Sequence, residues 1–162
     1  MTSRWYVLHS KPNKERVLLR RLQSQGYELF YPYVNLLSGK PGITKNKPFF
    51  PGYLFIKVNL DIVGQSTFQW MPFAIGLVSI GGKPAYVPDS LVNAILRHLE
   101  KFNSLGGTLI EASRGKQEVQ NTEIPKEKYE AFLDLRLSDS ERVQALFKII
   151  RQTSVYSGVR LP

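Results

Sequence analysis

The chain has 162 residues, 43% of them apolar and 12% aromatic, with a net charge of +9, no cysteine and two histidines. The absence of thiols excludes disulfides, thiolate metal sites and thiol catalysis, and His9 and His98 alone poorly supply a histidine metal site or a serine triad. No run approaches the roughly 18 apolar residues that cross a bilayer, and the start lacks a signal-peptide pattern, so a cytoplasmic protein with no membrane partner is expected.

Trp5, Tyr6 and Val7 open a strand that ends at Lys11-Pro12, where proline suits the first turn of a helix. From Lys14 to Gln25 the spacing is helical. Leu18, Leu19 and Leu22 share one side, Arg16, Arg20 and Gln23 share the other, and Gly26 is the C-cap candidate. Glu28 to Leu36, rich in Tyr, Phe and Val, reads as a second strand, followed by the turn-forming Ser38-Gly39-Lys40-Pro41-Gly42. A third strand, Tyr53 to Asn59, follows Pro51-Gly52. Side-chain alternation puts Leu54, Ile56 and Val58 on a core face and Tyr53, Phe55 and Lys57 on a face expected at a surface. Residues 60 to 75 read as mixed and short-helical, and Leu77 to Ile80 as a fourth strand ended by Gly81-Gly82. Pro88-Asp89-Ser90 then starts an amphipathic helix through Lys101. This order predicts an α+β fold, an antiparallel sheet flanked by helices, over residues 1 to 101.

Residues 102 to 123 lack periodicity and read as a linker, long for the inside of one domain. Apolar order returns in a second unit, 124 to 162, too short to bury much surface alone. Two periods compete there. As helix, Tyr129, Leu133 and Leu137 form one stripe and Val143, Leu146, Phe147 and Ile150 another, with Ser138-Asp139-Ser140-Glu141 as a capping box between them. As strand, Tyr129, Ala131, Leu133, Leu135 and Leu137 alternate with charged residues, and Ser138-Asp139-Ser140 is a hairpin turn. The first reading gives a helical hairpin, the second part of a β-barrel.

Charge is concentrated in the first domain. Residues 1 to 101 hold 13 Lys and Arg against 5 Asp and Glu, and the rest hold 9 against 8. Such a domain is drawn to nucleic acid or to an acidic protein surface, although solubility alone accounts for charge equally well. The only paired carboxylates, Asp134 with Asp139 and Glu127 with Glu130, lie in amphipathic segments where a solvated face is the simpler account. No enzyme, cofactor or metal is expected.

Trp5-Tyr6-Val7-Leu8-His9-Ser10-Lys11-Pro12 leading into a basic helix, and Phe49-Phe50-Pro51-Gly52-Tyr53-Leu54-Phe55-Ile56 some forty residues later, resemble the N-terminal domain of the NusG family of transcription elongation factors. Ser140-Glu141-Arg142-Val143 with Phe147-Lys148-Ile149-Ile150 resembles the end of that family's KOW domain. The polar stretch Arg114 to Asn121 lacks the apolar strand with which a KOW domain begins, so the tail is similar to that of RfaH-like paralogues, where it can fold as a helical hairpin.

The resemblance implies a non-covalent factor that binds bacterial RNA polymerase and suppresses pausing or termination. The clamp helices would dock on Tyr53 and Phe55, with Phe50 and His9 at the rim. The gate loop on the opposite pincer would meet Gln65, Ser66 and Thr67. DNA of the transcription bubble would meet Lys11, Lys14, Arg16, Arg20 and Gln23, whose ordinary reading is a solvated helix face. A hairpin covering Tyr53 and Phe55 would be autoinhibitory, and ribosomal protein S10 or Rho are the family partners of the tail. A monomer is expected. The alternative is a stand-alone RNA- or ribosome-binding module.

Overall fold

The computed structural model of the chain describes residues 2–37, 44–103 and 137–157. The chain opens with β1 (Arg4–Ser10), turns at Lys11-Pro12 into α1 (Glu15–Ser24) and returns as β2 (Glu28–Phe30). Leu18 and Leu22 are fully buried on one side of α1, and Gly26 supplies the left-handed residue that ends it, with φ of +82°. The sequence suggests one strand from Glu28 to Leu36, but the structure breaks it at Tyr31-Pro32, because proline cannot donate to a ladder. After the break, β3 (Tyr33–Leu37) leaves the main sheet and pairs with β4 (Thr44–Pro48), a strand the composition Thr-Lys-Asn-Lys-Pro hides.

The chain rejoins the sheet as β5 (Tyr53–Val58) and crosses it through two one-turn helices, α2 (Leu60–Val63) and α3 (Ser66–Gln69). Asn59 caps α2, its side-chain oxygen accepting from the Asp61 N–H at 3.0 Å. The next strand, β6 (Ala74–Leu77), begins three residues before the expected Leu77. Residues Ser79–Ile80 instead form β7, the first arm of a small hairpin with β8 (Lys83–Pro84) across Gly81-Gly82. A last short strand, β9 (Tyr86–Val87), precedes α4 (Asp89–Asn103). The final described element is α5 (Asp139–Ser157).

The main sheet is antiparallel in the order β2-β5-β1-β6, with β9 also on β1. Both faces are covered. On one, Tyr6, Leu8, Leu54 and Ile56 pack with Leu18 and Leu22 of α1 and Phe68 of α3. On the other, Trp5, Val7, Phe30 and Phe55 pack with Leu91, Val92, Ile95 and Leu99 of α4 and with Leu146, Ile149 and Ile150 of α5. The expectation of a surface-lying second face on β5 is therefore corrected. Phe55 is fully buried and Tyr53 and Lys57 are half-buried, because α4 and α5 cover that side.

At Ser138-Asp139-Ser140 the hairpin turn fails and the capping box holds, and residues 139–157 are helical. Ser138 and Glu141 close the capping box in both directions, the Ser138 N–H donating to Glu141 Oε2 at 2.7 Å and the Glu141 N–H to Ser138 Oγ at 3.3 Å. Burying Leu146, Ile149 and Ile150 stabilises the docked helix by roughly 5–9 kcal/mol before ordering entropy is subtracted. Tyr129, Leu133 and residues 104–123 of the expected linker lie outside the described residues, while 102 and 103 still belong to α4.

Candidate functional site

Register brings the first group of candidate residues together. His9 stands opposite Tyr53, Val7 opposite Phe55 and Trp5 opposite Lys57 across the β1–β5 ladder, so all six side chains share one face. The imidazole of His9 stacks on the Tyr53 ring with centroids 4.6 Å apart and planes 15° from parallel. Burial lowers the His9 pKa and raises that of Tyr53, which keeps both rings uncharged at neutral pH.

The turn before β5 is built by Phe50-Pro51-Gly52-Tyr53. The Tyr53 N–H donates to the Phe50 carbonyl at 3.1 Å, and Gly52 sits at φ +87°, where the third residue of a Pro-Gly turn needs glycine. The Ser10 N–H donates to the Gly52 carbonyl at 2.8 Å and so fastens this turn to the end of β1. Phe50 lies beneath, 6.0 Å from Phe55 and 4.8 Å from Phe49, each an edge-on contact. Of the four residues expected at one docking surface, His9 and Tyr53 are half-buried, while Phe50 and Phe55 have no exposed surface.

α5 packs onto this face beside α4. Phe147 stands edge-on to Tyr53, with centroids 5.1 Å apart at 87°. Leu146 and Ile150 are buried beside it, and Val143 packs against the same cluster. Leu137, expected on the other stripe, precedes the capping box and is half-buried. Arg142 is 5% exposed; its guanidinium donates to the Phe49 carbonyl at 3.2 Å and the Leu137 carbonyl at 2.9 Å, and lies 3.4 Å from Asp139 Oδ1. Asp139 also meets Lys47 of β4 at 3.1 Å. Sequence reasoning missed Arg142 and Lys47. The signal for Arg142 was its place four residues before Leu146, on the apolar stripe; nothing in the sequence pairs Lys47 with Asp139.

The basic edge divides in two. Lys11, Lys14, Arg16 and Arg20 are exposed and Gln23 is half-buried. Arg16, Arg20 and Gln23 border a cavity of about 720 Å³ between α1, β3 and α4, into which Tyr31, Tyr33 and Glu100 also face. Burial, with the Glu15 carboxylate adding and Arg16 opposing, pushes the Tyr31 pKa up to about 12; burial alone takes Tyr33 to about 12. Both hydroxyls thus stay protonated donors. The sequence pattern marks the two tyrosines only as strand residues. Lys11 and Lys14 lie outside this cavity, in the loop before α1.

Gln65, Ser66 and Thr67 are exposed at the start of α3, whose Phe68 packs on the α1 side of the sheet. They are therefore across the sheet from Tyr53. The Thr67 hydroxyl donates to the Val63 carbonyl at 2.7 Å, which leaves its oxygen available as an acceptor.

Among the described residues no three His, Asp or Glu side chains gather where a metal ion could bind, and no helix is long and apolar enough to cross a membrane. The family model described as transcription termination factor NusG matches residues 3–96. A solved structure titled "Domain interaction in Thermotoga maritima NusG" is 20% identical, with a TM-score of 0.41, over 75% of this chain and 69% of that one. The family match spans more than half the chain and takes in the β1–β5 ladder, the Pro-Gly turn and the basic helix, and the chain belongs to the NusG family of transcription factors.

Proposed function

We propose that this chain is an elongation and antitermination factor that docks on the clamp helices of bacterial RNA polymerase through His9, Tyr53, Phe55 and Phe50, and that α5 masks this surface at rest. Gln65, Ser66 and Thr67, across the sheet, meet the gate loop. The cationic edge of Lys11, Lys14, Arg16, Arg20 and Gln23 faces the DNA of the bubble, where Arg and Lys hold phosphates and Gln23 reads an unpaired base. Bridging both pincers would stabilise the closed clamp, a shift of populations that needs no chemistry.

The observation that carries this reading is the contact of Phe147 with Tyr53 above the fully buried Phe50 and Phe55. An aromatic patch that an amphipathic helix of the same chain already fits is a surface shaped for a helical partner. With residues 139–157 helical, the tail offers a helix face, not the strand edges of a barrel, to ribosomal protein S10 or Rho.

The test is competition of the full chain, and of a full chain carrying Arg142→Ala with Phe147→Ser, against labelled NusG on a bacterial elongation complex. Competition by the variant alone supports docking with a masked site. Equal competition by both removes the masking but keeps the docking. If neither competes while both bind bare RNA, the stand-alone module is the better account.

A further inference from the structure

Trp70 has a position that burial does not explain. It is 81% exposed, whereas the other tryptophan, Trp5, is 4% exposed in the core. A large indole left in water forgoes the burial that normally places tryptophan, so its position calls for an occupant.

The surroundings are rigid and cationic. Trp70 ends α3, its N–H donating to the Ser66 carbonyl at 3.2 Å, and the buried Met71 next to it anchors the turn that follows. In that turn Phe73 sits at φ +72°, and its carbonyl accepts from the Lys11 N–H at 2.8 Å. In the lysine loop Asn13 is also left-handed, at φ +59°, and the ammonium of Lys14 lies 6.0 Å over the Phe73 ring. Two non-glycine residues at positive φ, in loops joined by a hydrogen bond and a cation–π contact, persist because their neighbours over-determine them. The loop of Lys11 and Lys14 and the turn of Trp70 therefore form one fixed unit. Two residues separate Trp70 from Phe73, so the indole's backbone lies within about 10 Å of Phe73, the residue to which the lysine loop is fastened. The nearest carboxylate along that loop, Glu15, bears on Tyr31.

A flat, exposed aromatic next to fixed cations matches the way single-stranded nucleic acid is held, by a base on a π-face and phosphates on lysines. A protein partner would have to bring acidic side chains of its own to these lysines, whereas an oligonucleotide carries a phosphate beside every base. We propose that Trp70 is a stacking platform for an unpaired base whose flanking phosphates are held by Lys11 and Lys14. This rests on the nucleic-acid reading above and adds to it a residue outside the basic helix.

The experiment titrates the full chain with oligothymidylate of about eight nucleotides, within the site sizes such surfaces use, following tryptophan fluorescence. Because Trp5 is buried, saturable quenching reports Trp70. Trp70→Ala is expected to weaken binding roughly five- to a hundredfold with unchanged melting, and Trp70→Phe to recover much of it. Lys11→Gln with Lys14→Gln should flatten the salt dependence by about 1.4 in log–log slope. Unchanged binding by Trp70→Ala, with loss in Arg16→Gln or the lysine variants, overturns the stack and leaves the nucleic-acid reading standing. No binding by any form overturns both. A Trp70→Ala defect confined to polymerase, with oligonucleotide binding intact, overturns the proposal in favour of a protein contact.

Discussion

Arg142 grips Phe49 twice, donating to its carbonyl at 3.2 Å and lying 4.4 Å over its ring. One guanidinium thus ties α5 to both the backbone and the side chain of the residue that leads into the Pro-Gly turn. Arg142→Ala would leave the carbonyls of Phe49 and Leu137 without this donor, and is expected to loosen α5 by about 2–4 kcal/mol. Hydrogen exchange of residues 139–157 checks this: faster exchange there, with the β1–β5 ladder unchanged, is the expected pattern. Arg142→Lys should recover little, since an ammonium cannot fork to two carbonyls and stack at once.

The ion pair of Lys47 and Asp139 is a different kind of contact. Both side chains are 40% or more exposed, so the pair contributes only about 0.2–1 kcal/mol and is screened by salt. Lys47→Glu should loosen α5 at low ionic strength through repulsion from Asp139 and much less at high ionic strength. Comparing urea midpoints at the two ionic strengths decides it, and equal shifts at both would show that the pair carries no electrostatic coupling.

Glu141 makes the start of α5 sensitive to acid. Hydrogen bonds from Ser138 hold its carboxyl below the usual 4.5. A depressed folded-state pKa adds stability above the unfolded value and loses it as pH falls through the folded one. Fraying of α5 should therefore set in below pH 4.5, read by far-ultraviolet circular dichroism. Ser138→Ala should remove the hydroxyl's share of this pH dependence and about 1 kcal/mol of helix stability, while the backbone N–H that alanine keeps preserves the rest.

His9 gives a second pH response. Burial lowers its pKa from 6.5, so the stability linked to the neutral, stacked ring is complete above 6.5 and declines as pH falls towards the folded value. Proton resonance titration of the imidazole should give a midpoint below 6.5, moving back towards 6.5 in Tyr53→Ala. An unshifted midpoint in the parent chain would contradict the packed, neutral ring.

Much of the fold was legible because local chemistry and tertiary packing agree. β1, α1, β5 and α4 each carry a clean period and a marked end, such as Lys11-Pro12, Gly26 or Asp89. Failures fell where partners decide. Thr44–Pro48 has a polar composition and becomes a strand only because β3 lies beside it. Ser138-Asp139-Ser140 fits either a hairpin turn or a capping box, and the helix start wins because the apolar stripe that follows packs into the same core as α4 and the aromatic layer of the sheet. The candidate site was read at the level of residue type: His9 and Tyr53 do meet. That α5 packs onto this aromatic layer depends on contacts such as that of Arg142 with Phe49, 93 residues apart, which no local pattern encodes.

β1 is the strand made first and the one completed last. Its partners are β5 on one side and β6 and β9 on the other, so its final neighbour, Val87 opposite Trp5, follows it by about eighty residues. During synthesis β1 can gain its β5 ladder first, but its other edge stays open until β6 and β9 have left the ribosome. A chain halted before β9 carries an open, aromatic-rich strand edge, the kind of edge that pairs with other chains. Steady translation through the β6–β9 region thus protects yield as much as any single contact in the finished fold.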